Sequence, residues 1–188
     1  MKKIICTLWM AVCALCVMAQ ESKTVNLQLE TRIDYQREYL DGDAVKSNSG
    51  FKGKYLNVIL NGTINDHWSY SYRQRLNKAH ADQSFFDATD WIHLTYRLND
   101  NWSFNGGKQV VGIGGYEYDR APIDLYFCSE YWNNIPCYQL GVSATYTTNK
   151  GNDIFLAQVC ESPFNFNNED LYAYNLMWYG SHGWFNSI

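Results

Sequence analysis

Apolar and polar residues alternate along the segment 25–39. The odd positions are mostly apolar and carry Val25, Leu27, Leu29, Thr31, Ile33, Tyr35 and Tyr39. The even positions are polar and carry Asn26, Gln28, Glu30, Arg32, Asp34, Gln36 and Glu38. Because successive side chains of a β-strand point to opposite faces, the pattern predicts a long strand with one apolar and one polar face.

The same alternation returns along the chain and predicts an antiparallel sheet. Further apolar faces are formed by Leu56, Val58, Leu60 and Ile64, by Trp68, Tyr70, Tyr72 and Leu76, by Ile92, Leu94, Tyr96 and Leu98, and by Tyr138, Leu140, Val142, Ala144 and Tyr146. Less regular strands are expected near 102–108, 153–160 and 171–179. The sequence therefore predicts eight strands, and a ninth that begins near Trp184.

The predicted connections alternate between short and long. Short turns rich in Asn, Asp and Gly are expected at 65–67, 99–101, 149–152 and 180–183, and longer connections at 40–53, 79–88, 109–135 and 161–170. Up-and-down strands place all short turns at one rim, as in outer-membrane barrels. Trp68 and Trp102 each follow a short turn, which would put their rings at a membrane interface.

The first residues have the composition of an export signal. Lys2 and Lys3 precede an apolar stretch, Ile4–Met18, and the small residue Ala19. We therefore expect residues 1–19 to be a signal peptide and 20–188 to be the exported barrel segment. The whole chain has 15 basic and 19 acidic residues, and the signal contains two of the bases, so the exported part is acidic. That balance argues against nucleic acid as a partner.

Candidate catalytic and metal-binding groups are sparse. Glu117 and Asp119 are the best candidate for a carboxylate pair, but no activated nucleophile accompanies them, and His67, His80, His93 and His182 are scattered. The exported part keeps Cys128, Cys137 and Cys160, without the close spacing of a zinc site; one bridge at most is expected. The sequence thus predicts a protein that is not an enzyme and has no cofactor or metal.

The connection at about 109–135 is the longest, and we expect it to fold into the barrel lumen. It combines glycines with the charged residues Glu117, Asp119, Arg120 and Asp124. Arg73, Arg75, Arg97 and Lys108 on neighbouring strands would line the same lumen. Charged rings select ions in narrow pores. Acids and bases are mixed here, so the sequence leaves open whether they favour anions or merely solvate a polar face.

The order of these parts resembles the phosphate-selective porin family of Gram-negative outer membranes. Gly107-Lys108-Gln109, with Gly112 and Glu117, is similar to that family's glycine–basic–glycine–glutamate stretch after strand five, and Ser129 matches in position. The resemblance implies a sixteen-stranded homotrimeric barrel in outer-membrane lipid, with passive diffusion of solutes and a long loop that narrows the pore. The chain departs from the family at Val110-Val111-Gly112, where a Pro-Phe-Gly step is usual, and it matches the basic pore ladder only at Lys108 and Arg120.

The sequence as a whole predicts an all-β, antiparallel up-and-down transmembrane β-barrel that is incomplete, with eight to nine of sixteen strands. The predicted function is an outer-membrane porin for small hydrophilic solutes, anions included, here as a truncated chain, because eight strands alone enclose no channel. Two alternatives stay open. One is a small eight-stranded barrel with a structural or adhesion role, and the other is a secreted β-sandwich that binds carbohydrate.

Overall fold

A computed structural model describes residues 24–77, 84–115, 117–118, 124–125, 128–148, 151–164, 170–182 and 185–186. The strands are β1 (Thr24–Leu40), β2 (Asp43–Thr63), β3 (Trp68–Arg75), β4 (Thr89–Arg97), β5 (Trp102–Val110), β6 (Tyr138–Thr147), β7 (Asp153–Glu161), β8 (Tyr172–His182) and β9 (Phe185–Asn186). One short helix, α1, covers Glu130–Asn134. The predicted signal peptide and Trp184 lie outside the described residues.

Every strand pairs antiparallel with its neighbours in the sequence, in the order β1 to β9. Within the described ranges, β1 pairs with β2 alone and β9 with β8 alone, so the sheet is open. This topology confirms the predicted all-β, up-and-down, incomplete barrel. Strands β3 to β8 are 8 to 11 residues long. That length is close to the roughly 9–11 residues with which a tilted strand crosses a bilayer.

The predicted long connection at 40–53 is wrong. β1 and β2 are joined by the two-residue turn Asp41-Gly42, whose φ angles are 51° and 93°. Turns with positive φ at both central positions favour Asp-Gly and continue the strand twist. β2 therefore runs for 21 residues. The first half of β2 lacks alternation of apolar and polar residues. It is a strand because its backbone pairs antiparallel with β1, with register shifts after Arg32 and after Gln36.

The turns at 65–67 and 99–101 both begin with Asn-Asp and precede a Trp, and they also share a geometry. Asn65 Oδ1 accepts hydrogen bonds from the backbone N–H groups of the second and third residues after it, both at 2.9 Å. Asn99 Oδ1 does the same at 3.0 and 2.9 Å. The Asn side chain thus imitates a backbone turn. The Trp that follows each turn contacts a ring on the next strand, since the centroids of Trp68 and Tyr96, and of Trp102 and Tyr146, are 4.9 Å apart.

Burial is inverted relative to a water-soluble sheet. Leu27, Ile33 and Leu176 on the apolar face have exposed fractions of 69%, 71% and 86%. On the polar face Asn57 and Gln158 are exposed by only 0% and 3%. A β-sandwich in water would bury its apolar face instead, whereas a membrane barrel presents it to lipid. In the portion of the chain that is described, the structure contains no helix with the length and apolar character needed to cross a membrane.

Candidate functional site

Amide and hydroxyl side chains form a band on the polar face of the sheet. Hydrogen bonds between neighbouring strands join Ser71 Oγ to Asn61 Oδ1 (2.6 Å), Ser143 Oγ to Gln109 Oε1 (2.8 Å), and Asn175 Nδ2 to Gln158 Oε1 (2.9 Å). Buried polar groups are costly unless they are hydrogen-bonded, so these bonds stabilise a polar interior surface.

Two of the predicted pore residues, Arg73 and Arg75, lie in a buried charge cluster at the loop end of this band. Arg73 Nε is 3.1 Å and Arg75 Nε 2.7 Å from the Asp90 carboxylate. Glu30 Oε2 is 3.6 Å from Arg73 Nη2 and accepts a 3.2 Å hydrogen bond from Asn57 Nδ2. The side chains of Arg73 and Asp90 are 3% and 7% exposed. Two positive and two negative charges therefore balance within the cluster.

The other two predicted basic residues lie apart from that cluster. Arg97 is at the short-turn end, where its backbone carbonyl contacts His67 Nδ1 at 2.7 Å. Lys108 lies opposite Ile92 on β4 and Leu140 on β6. Both of these residues belong to the apolar face, and Lys108 therefore lies on that face as well. Its Nζ donates to the Phe86 carbonyl at 3.0 Å. Lys108 also lines a cavity of about 500 Å³ at the loop end, together with Arg75.

The long connection begins by turning onto the polar face. Gln158 on β7 receives the Gly112 N–H at 2.7 Å and donates its Nε2 to the Val110 carbonyl at 2.8 Å. We call this pair of contacts the Gln158 bridge. A Cβ on Gly112 would lie 3.2 Å from Asn175 Cβ, closer than an ordinary contact. Glycine therefore lets the backbone approach the sheet.

Farther along the connection, Glu117 organises the start of α1. One carboxylate oxygen accepts the Ser129 N–H at 2.6 Å and the other accepts the Ser129 hydroxyl. Ser129 Oγ in turn accepts the Trp132 N–H at 3.2 Å, as an N-cap. The ring of Tyr118 packs edge-on against Trp132 with centroids 4.9 Å apart. Burial in this aromatic cluster raises the pKa of Tyr118.

The same connection also contacts β1, the first strand in the sheet order. The carbonyl of Leu125 accepts a 2.6 Å hydrogen bond from Arg32 Nη1 on β1, and Leu125 is buried. Asp124 beside it is exposed. Asp119 and Arg120 lie outside the described residues, so their predicted positions stay predictions.

Cys128, Cys137 and Cys160 are free thiols in the structure. Burial raises the pKa of the Cys128 thiol in the long connection. The described ranges contain no group of three or more His, Cys, Asp or Glu side chains that could hold a metal ion.

An antiparallel sheet with a buried polar face, an exposed apolar face and aromatic rings beside its short turns defines an outer-membrane β-barrel protein. A family model described as phosphate-selective porin O and P matches residues 25–183, and the chain belongs to that family of transport channels. No curated protein and no solved structure matches the chain. The family match confirms the resemblance seen in the sequence.

Sequence reasoning did not identify Asp90 and Gln158. Asp90 precedes the alternating part of β4, and the register shift at Arg73/Gln74 turns it toward both arginines. Gln158 lies in a strand whose apolar face is ambiguous in the sequence. The sequence offered only a weak signal for these two residues. Asp90 is an isolated carboxylate just before a regular alternation, and Gln158 is an amide in an irregular strand.

Proposed function

We propose that the chain forms part of the wall of a water-filled outer-membrane pore through which small hydrophilic solutes diffuse passively. The inverted sheet carries this proposal, because its polar face is suited to water and its apolar face to lipid. An open edge in hydrocarbon would leave backbone groups unpaired. The proposal therefore includes further strands that pair with β1 and β9. Assembly as a homotrimer is proposed from the family resemblance.

The connection from 111 to 137 is proposed to narrow the pore. It is joined to β7 through the Gln158 bridge and to β1 through the Leu125 carbonyl. Those strands lie six places apart in the sheet order, so the connection crosses most of the polar face. Glu117, Asp124 and the predicted Asp119 and Arg120 belong to this segment, and their charges are proposed to act on passing ions.

Arg73 and Arg75 are proposed to support the wall rather than to attract anions. Their ion pairs with Asp90 and Glu30 leave little net charge to act on a solute. Any anion preference is assigned instead to Arg120 in the connection.

Planar-bilayer recording tests the pore and its selectivity. Protein extracted in its assembled form from outer membranes is expected to give stable conductance steps, and Arg120→Glu should shift the reversal potential in a salt gradient toward cations. Arg97→Glu, at the far rim, is the matched control and should shift it less. Absence of conductance would contradict the pore. An unchanged reversal potential would contradict the role of Arg120 alone.

A further inference from the structure

A chamber of about 330 Å³ lies between the polar face and the start of the long connection. We call it the loop chamber; its lining includes His93, Asn105, Gln109, Tyr118, Ser143 and Gln158. Its volume is at the small end of the range of about 300–1,000 Å³ typical of ligand pockets. The chamber is thus suited to one small solute.

Three buried polar atoms of the lining residues lack a hydrogen-bond partner within the described part of the chain. They are Gln109 Nε2, His93 Nδ1 and the Tyr118 hydroxyl oxygen. Gln109 is only 5% exposed, and its Oε1 accepts from Ser143 Oγ at 2.8 Å, which directs the amide nitrogen away from that bond. An unpaired buried amide costs free energy, so a partner in the chamber would be favoured.

The described residues that line the chamber include no Lys, Arg, Asp or Glu. Arg73 and Arg75 do not line the chamber and are paired with Asp90. An anion that left water for this chamber would lose its hydration without gaining an opposite charge. A hydroxyl group both donates and accepts, and so matches an amide donor together with an imidazole nitrogen. The rings of Tyr118 and Tyr179 add flat apolar surface.

We propose that the loop chamber is a subsite for an uncharged, hydroxyl-rich solute of monosaccharide size. This inference rests on the proposed pore only for how the solute arrives. Its chemistry differs from that of an anion site, because recognition is by neutral hydrogen bonds.

Saturation-transfer NMR of the assembled protein in detergent micelles, with glucose as the probe, tests the subsite. Glucose is expected to receive saturation from the protein, and excess inorganic phosphate is expected not to displace it. Gln109→Leu removes the amide at similar size and should weaken apparent binding by roughly tenfold, as for loss of one buried hydrogen bond. Gln28→Leu, on the polar face of β1, is the matched control and should bind as the unaltered protein does.

His93→Phe is a second variant that keeps an aromatic ring but removes both ring nitrogens, Nδ1 included, and it should also weaken glucose binding. Retained β-sheet circular dichroism would show that either variant folds. No saturation transfer, displacement by phosphate, or full binding by both variants would overturn the inference. Because this measurement needs no ion flow, glucose binding without conductance would contradict the pore and leave the subsite intact. Conductance without glucose binding would do the reverse.

Discussion

At the scale of single residues, the charge cluster depends on Asp90, which is shared by two arginines. Removal of one partner from a buried ion pair leaves an uncompensated charge, at a typical cost of about 3–5 kcal/mol. Asp90→Asn is therefore expected to lower the free energy of unfolding by about that amount. Urea titration in lipid vesicles measures it. Asp100→Asn in an exposed short turn is the matched control, and equal losses in the two variants would contradict the role of Asp90.

A second residue-scale prediction concerns Asp87 in the connection before β4. The Ser84 hydroxyl donates to its carboxylate at 2.6 Å and holds the pKa of Asp87 below its ordinary value of 3.8. With a lowered folded pKa, this stabilisation is present above the unfolded pKa and is lost as the pH falls through the folded value. Ser84→Ala should raise the pKa of Asp87, as followed by carboxyl NMR titration. Ser69→Ala should leave it in place, and an equal shift there would contradict the assignment.

At the scale of elements, local patterns predicted the strands and short turns but not the β1–β2 hairpin. Alternation and Asn side chains act within a few residues, so β1 and the turns at Asn65 and Asn99 are encoded locally. The first half of β2 has no such pattern and depends on its partner. The contacts that place the long connection join residues 46 and 93 positions apart, namely Gly112 to Gln158 and Arg32 to Leu125. Local periodicity contains no information about those pairs.

The Gln158 bridge is expected to hold the start of the long connection against the sheet. Gln158→Leu removes both hydrogen bonds to the connection, each worth about 1 kcal/mol, and should raise the open population of this segment by roughly tenfold or more. Limited proteolysis of the protein in micelles measures the cleavage rate within 111–137. Gln139→Leu changes the same residue type on the polar face of β6. If both variants are cut at the same rate, the bridge does not restrain the connection.

At the scale of the whole molecule, the inversion of burial decides the class of protein. Alternation alone is shared by sandwiches and barrels, and the sequence therefore left a secreted sandwich open. The structure distinguishes them because Gln158 is covered while Leu176 on the next strand is exposed. The pore-facing residues were harder to predict, since alternation places Arg73 on a face but does not reveal that Asp90 neutralises it. The face on which a residue lies can be predicted from its own strand, whereas its charge partners lie on other strands.

The inversion makes a sharp prediction about where a charge is tolerated. Val142 lies on the apolar face in the middle of β6 and is 61% exposed, as a lipid contact would be. Val142→Arg should therefore lower the free energy of unfolding from vesicles by about 2–4 kcal/mol, the cost of Arg near the bilayer midplane. Leu40 is similarly exposed, at 67%, but lies at the tip of the β1–β2 hairpin, which extends past the neighbouring strands. Leu40→Arg should cost about 0–1 kcal/mol. Equal costs at the two positions would mean that the apolar face does not contact lipid.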